Sequence, residues 1–376
     1  MIERKTGDYE SLGSLNHFIP YPLPPNNPPF QMDYNLIELY GKAMHQLGHL
    51  NEMARRIPNI QRFIKAYITK EALLSSEIEG IQTTLIDVLS EPNTDFRPNK
   101  ETQLVLNYTK SLEVALDLIQ NQDMPLVSRV ILAAHQTLME GGDGDKASPG
   151  SYRQQSVRVG DHIPPTAPHI PNLIKDLETY INADTTTLPL LKAGFAHVQF
   201  ETIHPFLDGN GRIGRLLIVL MLLKEGLLNE AIIYPSYAFK KHQMAYYVAL
   251  DNVRSKGDFE GWIRFYLQSL IESAEDAWSR AKDIELLEKN LTKKIMENSL
   301  FIKIREDALN LLSLLFQYPV IGITDAASHL GKSYNSVGAL IERFQEADIL
   351  IPGSDQKRNR TYLFKGYLDV LEQVYD

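Results

Sequence analysis

Apolar residues recur at spacings of three and four along most of this 376-residue chain, a period that points to a helical body. From Asp33 onward, Leu36, Ile37, Tyr40, Met44, Leu47 and Leu50 follow it, and a second stretch runs from about Ile60 to Ser76. The pattern resumes over Glu101–Ile119, Leu126–Glu140, Asn172–Ala183, Pro189–Ile203 and Asn210–Lys224. Tyr237–Lys256, Phe259 to about Lys289, and Leu291–Asn298 extend it. The spacing therefore predicts a mainly α fold, and 44% hydrophobic residues supply the core it needs. No repeat of fixed period is present.

The interruptions divide the chain. Six prolines between Pro20 and Pro29 forbid a helix there, so residues 1–30 read as an extended arm held by Tyr21, Leu23 and Phe30. Residues 141–171 are rich in Gly and Pro around a short β-like piece, Ser156–Val159, which predicts a loop with a small hairpin. Near the C terminus, helices over Arg305–Leu315, Thr324–Leu330 and Tyr334–Ala347 precede two strands, Ile349–Ile351 and Thr361–Phe364, around the turn GSDQKRN. That order is the order of a winged helix-turn-helix. The expected domains are 1–100, an arm with N-terminal helices; 101–275, a core; 276–300, a helical linker; and 301–376, the winged module.

Composition excludes several classes of chemistry. With no cysteine there is no disulfide, no thiolate nucleophile and no Cys-ligated zinc or iron–sulfur site. A net charge of −9 gives no bulk attraction to nucleic acid or anionic lipid. The longest apolar run, Leu216–Leu223, is far short of the ~20 residues of a membrane span, and MIERKTGDYE lacks the apolar core of a secretory signal. The expectation is a cytoplasmic protein.

Chemistry concentrates in His204–Arg215, HPFLDGNGRIGR. Gly209, Asn210 and Gly211 tolerate backbone angles that point successive N–H groups at one spot, and an apolar helix follows directly. Such a turn at a helix N terminus cradles phosphate. Arg212 and Arg215 share one helical face and can reach one polyphosphate. Asp208 is placed to hold Mg²⁺, and His204 is a candidate general base for a hydroxyl nucleophile. Together these residues describe transfer of a phosphate ester onto an –OH group.

The twelve residues match in full the signature HPFx(D/E)GNGRxxR, and the chain resembles the Fic family on that basis. The resemblance implies a Fic-type helical core with a β-hairpin flap, and transfer of AMP from ATP to a Ser, Thr or Tyr hydroxyl of a target protein with release of pyrophosphate. It implies His204 as the base, Phe206 as the loop's anchor in the core, and Asp208 as the Mg²⁺ ligand. Gly209–Gly211 with Asn210 would grip the α- and β-phosphates, Arg212 would bind the β-phosphate and Arg215 the γ-phosphate, with Ile213 and Gly214 in the same nucleotide-binding turn.

Three further segments resemble parts of that family. Tyr152-Arg153 followed by Val159, Gly160, Asp161 and His162 looks like its flap, which lines up the target by strand addition and covers ATP. Tyr246 and Tyr247 fall where aromatic residues meet the adenosine; an Asn that some relatives carry is Arg254 here. Ser75-Ser76-Glu77-Ile78-Glu79-Gly80 fits the inhibitory motif (S/T)xxxE(G/N), with Ser75, Glu79 and Gly80 in the defining positions. Glu79 paired with Arg215 would then occupy the fork that takes the γ-phosphate, giving an enzyme inhibited in cis.

Other readings stay open. His197, Glu201 and His204 share a helical face and could in principle ligate zinc, but the spacing is not that of an HExxH helix and the phosphate cradle would go unexplained. A second class makes the chain a DNA-binding regulator with the core as a nucleotide sensor, using Lys357, Arg358 and Arg360 of the wing. Residues 301–376 hold 8 Lys+Arg and 10 Asp+Glu, a balance that suits protein docking or a homodimer equally well. Within the resemblance, removal of AMP or transfer of another phosphate-linked group is the remaining alternative.

Overall fold

The computed structural model describes residues 4–56, 61–90, 97–141, 147–184, 186–353 and 360–373. The protein is mainly α-helical, with little sheet. Helices α1 (Tyr34–Arg56), α2 (Gln61–Ile78), α3 (Leu85–Leu89) and α4 (Lys100–Leu116) come first. Next are α5 (Ser128–Leu138), α6 (Ile170–Asn182), α7 (Pro189–Ile203) and α8 (Asn210–Lys224). Then follow α9 (Ser236–Lys241), α10 (Gln243–Lys256) and α11 (Phe259–Glu297).

Helices α7 and α8 form the centre. Every residue of α7 after Pro189 is buried, and so is nearly all of α8, as expected for helices apolar all round. Pro189 sits in the first turn of α7, where a missing N–H costs nothing, and Asn99 and Asp258 cap α4 and α11 through their side chains. Helix α11 is one uninterrupted element of 39 residues, where the sequence suggested two. Its stripe of Trp262, Tyr266, Leu270, Ala277, Ala281 and Ile284 is buried, against α1 and α10 among others.

The first 30 residues differ from the extended arm expected of them. Strands β1 (Gly7–Leu12) and β2 (Leu15–Pro20) pair as an antiparallel hairpin, Gly7 opposite Pro20 and Leu12 opposite Leu15. The Gly13-Ser14 pair between them is a two-residue hairpin signal that the prolines overshadow. The stretch Tyr237–Lys256 is also two helices, broken at His242, whose Nε2 lies 2.9 Å from Glu272 of α11. No Gly or Pro marks that break in the sequence. The expected hairpin near Ser156–Val159 reduces to a single bridge between Val159 and His162.

The C-terminal unit runs α12 (Arg305–Gln317), β3 (Val320–Gly322), α13 (Ile323–Leu330), α14 (Tyr334–Glu346), β4 (Ile351–Pro352), β5 (Thr361–Leu363) and α15 (Lys365–Glu372). β5 lies antiparallel between β3 and β4. Strand β3 and helix α15 were not anticipated, and Lys357 and Arg358 lie outside the described residues. Arg280 of α11 donates to the carbonyls of Val370 (2.6 Å) and Leu371 (3.1 Å), and Lys70 of α2 donates to Leu371 (2.9 Å), so this unit is fastened to the core. Burial, with Arg280 beside it, pulls the Lys70 ammonium down to about 7. Among the described residues no helix is long and apolar enough to cross a membrane.

Candidate active site

The loop between α7 and α8 is built by its own side chains. His204 ends α7 in the left-handed region (φ 49°, ψ 61°); Pro205 keeps the helix from continuing, and Arg153 holds the His204 carbonyl through Nε at 2.8 Å. Arg153 also donates to the Pro165 carbonyl at 2.6 Å, and its backbone N–H donates to Pro205 at 2.9 Å, so one arginine ties the flap region to the motif. Phe206 is fully buried, stacked 3.7 Å from His135. Asn210 turns its amide back onto Phe206, accepting from the backbone N–H at 2.8 Å and donating to the carbonyl at 2.9 Å. The Asn210 side chain thus shapes the loop and is not free to grip phosphate, as the resemblance had implied. Asn210→Ala would leave both buried backbone groups unpaired, and a thermal melt should show a loss of about 2–4 kcal/mol.

His135 of α5 was missed in the sequence. The Gly150 N–H donates to its Nδ1 at 3.0 Å, which leaves Nε2–H to donate to the Asp208 carbonyl at 3.0 Å. Gly209 then adopts φ +80°, and a Cβ there would lie 3.1 Å from both Leu138 and Met139. This turn opens α8, whose first amides, at Asn210, Gly211 and Arg212, have no acceptor within the helix.

Around that helix end the functional side chains gather. Nδ1 of His204 is buried without a partner, and burial followed by the Arg153 charge pulls the imidazole down to about 4, so it is neutral near pH 7. Arg212 is buried; one Nη2 contact reaches Asp208 Oδ1 at 3.3 Å, while Nε and Nη1 have no partner. Asp208 itself is well exposed, its Oδ1 accepting from the Gly209 N–H at 2.6 Å. Ile213 is buried and follows Gly209 in the first helical hydrogen bond.

Arg215 is buried and held by Ser75 of α2 and Glu79 just beyond it. Its Nε donates to Ser75 Oγ at 2.8 Å, and its Nη2 donates to the Ser75 carbonyl at 2.8 Å and to Glu79 Oε1 at 2.7 Å. Burial by itself would lower this guanidinium's pKa, but the Glu79, Tyr246 and Glu201 side chains outweigh it and raise it. Glu79 follows the last residue of α2, and Gly80 turns the chain at φ +83°. Gly211 admits the Glu79 carboxylate: a Cβ at 211 would collide with Oε1.

The flap and aromatic residues divide. Val159 and His162 pair across Gly160 and Asp161, Arg158 reaches Asp161 at 3.3 Å, and His162 is buried with Nε2 2.9 Å from the Thr202 carbonyl. The β1–β2 hairpin braces this segment, the Phe18 N–H donating to Ile163 at 2.9 Å. Tyr246 is buried in an aromatic cluster with Phe239 and Trp262, its hydroxyl 2.9 Å from His197 Nε2, so its ring is closed to an adenosine. Tyr247 is partly exposed and reaches the Ile78 carbonyl at 3.3 Å, beside Glu79. His197 Nδ1 lies 2.8 Å from the Gly214 carbonyl, so both its nitrogens are taken. That overturns the zinc reading, and no cluster of metal-ligating side chains occurs among the described residues.

Known proteins resemble this chain in sequence and in fold. Residues 125–222 match the family model described as Fic/DOC family, and residues 37–117 the one described as Fic/DOC family N-terminal. The chain is 30% identical over 193 residues to the protein adenylyltransferase Fic of Drosophila erecta and 29% to that of Drosophila melanogaster. Each alignment takes in 50% of this chain and 37% of the relative, so the chain spans little more than a third of those proteins. A Fic family protein from Desulfovibrio desulfuricans G20 shares the fold with a TM-score of 0.57 at 23% identity, over 90% of this chain and 98% of that one. A Fic domain containing signaling protein from Bacteroides thetaiotaomicron gives 0.50 at 19%, over 66% and 97%. The chain thus resembles the Fic/DOC family over residues 125–222 and that family's N-terminal region over 37–117, and shares a fold with Fic proteins.

Proposed function

We propose that this protein is a protein adenylyltransferase that moves AMP from ATP to a Ser, Thr or Tyr hydroxyl of a target protein, releases pyrophosphate, and is inhibited in cis by Glu79. One observation carries the reading. At the α8 N terminus, donors of Arg212 are buried without acceptors beside a neutral His204, while Arg215 is held by Ser75 and Glu79. Buried guanidinium donors left unpaired are costly, and phosphate oxygens match their geometry. The names borne by the Drosophila relatives support the same reaction.

In the proposed mechanism His204 accepts the proton of the target hydroxyl as that oxygen attacks the α-phosphorus, and pyrophosphate leaves on the opposite side. The α8 amides and Arg212 hold the phosphates, and Arg215 fixes the γ-phosphate once Glu79 withdraws, which makes AMP the transferred group. Asp208 suits Mg²⁺: it is exposed, and only its Oδ1 is engaged by protein donors. Mg²⁺ there would offset phosphate charge. With its pKa near 4, His204 imposes no acid limb on the rate between pH 6 and 8.

The C-terminal unit, whose element order is that of a winged helix-turn-helix, is proposed to dock partners. The experiment for the reaction is transfer from ATP labelled at either the α- or the γ-phosphate. Protein should take up the α-label alone; uptake of the γ-label would mean phosphate transfer and would overturn the proposal.

A further inference from the structure

Two glycines of the motif each admit a glutamate beside Arg215. Gly211 admits Glu79 from just past α2, and Gly214 admits Glu201 from α7: a Cβ at 214 would collide with Glu201 Oε1 and stand 3.2 Å from its Cδ. Glu79 is engaged with the guanidinium, but Glu201 is not. It is 8% exposed, and its Oε1 is buried with no hydrogen-bond partner. A buried carboxylate oxygen left without a donor is costly unless a donor reaches it in another state.

Ser75 of α2 and Glu79 just beyond it hold the Arg215 guanidinium. Withdrawal of Glu79 therefore leaves a fork that must be aimed at the γ-phosphate short of the carboxylate that aims it now. We infer that Glu201 is a positioning residue for Arg215: when Glu79 leaves, its free oxygen takes up the guanidinium and holds it toward the γ-phosphate. The inference rests on the adenylyltransferase reading and adds the group that keeps Arg215 in place in the active state.

Charge around Glu201 fits that role. Arg215 faces it from α8, Arg254 and Tyr246 from α10, Glu79 from the end of α2, and His197 lies one turn back on its own helix. Burial raises its carboxyl to about 7, with Glu79 adding to the rise and Arg215 and Arg254 opposing it. The ionised form that would hold Arg215 is thus present above about pH 7 and lost below it. Removing the Glu79 charge moves that point downward. Sequence reasoning met Glu201 only as a zinc candidate, since the contact with Gly214 is tertiary.

The test compares Glu79→Gly with Glu79→Gly/Glu201→Gln and Glu79→Gly/Glu201→Asp, measuring calorimetric ATP affinity with Mg²⁺ and label transfer from pH 5.5 to 8. Gln keeps the shape but cannot ionise, so ATP affinity and KM should worsen roughly tenfold at pH 8 and the acid limb of Glu79→Gly should flatten. Asp keeps the charge and shortens the reach, so affinity should fall while a limb remains. If Gln leaves both affinity and limb as in Glu79→Gly, Glu201 does not position Arg215. Equal weakening at every pH with the limb intact would make Glu201 merely structural and would overturn the inference too. Absence of transfer by Glu79→Gly would count against the adenylyltransferase reading, while the binding arm would still decide the role of Glu201.

Discussion

Glu79→Gly is expected to raise the initial rate of AMP transfer by about 10- to 100-fold, the equivalent of removing one hydrogen-bonded charge pair of roughly 1.5–3 kcal/mol from Arg215. The contact it removes is short, 2.7 Å, and the guanidinium end is buried, whereas Glu79 is 37% exposed. An inhibitory group at the mouth of a site can leave without unpacking the core. Glycine removes the carboxylate while Ser75 stays on Arg215, so the gain in rate should come with some loss of folding stability, because the buried guanidinium loses the carboxylate it is bonded to. The measurement is automodification under saturating ATP with Mg²⁺. A rate at or below that of the wild type would remove Glu79 as the inhibitor.

His204→Ala, made in the Glu79→Gly background, should lower transfer by about 10²- to 10⁴-fold, the range for loss of a general base. ATP affinity should change little, because the groups proposed to bind the phosphates are Arg212, Arg215 and the α8 amides, and the bonds of Arg212 and Arg215 do not involve the imidazole. Rapid-mixing rates paired with equilibrium ATP binding separate the two effects. A large fall in affinity with an unchanged transfer rate would assign His204 to binding instead.

Much of this was legible in the sequence because it is local. Helices α7 and α8 begin and end where Pro189, Pro205 and Gly209 dictate. The Ser75–Glu79–Gly80 motif and Arg215 could be matched because each is defined within a short segment. What was missed depends on contacts between distant segments. His135 fixes the turn through the Asp208 carbonyl 73 positions away, and His242 divides α9 from α10 beside a carboxylate on α11. The burial of Tyr246 is decided by Phe239, Trp262 and His197 packing over it. Asn210 reverses the usual lesson. Its place in the cradle suggested a ligand contact, yet a side chain four residues from Phe206 closes the loop on itself.

The central claim, that Glu79 holds Arg215 away from ATP in an otherwise competent site, is tested most directly by label transfer from ATP labelled at the α-phosphate. Wild type, Glu79→Gly and Glu79→Gly/His204→Ala are compared side by side with Mg²⁺. The account predicts faint labelling of the wild type, strong labelling of Glu79→Gly and none of the double variant. Equal labelling of wild type and Glu79→Gly, or strong labelling that survives loss of His204, would contradict it.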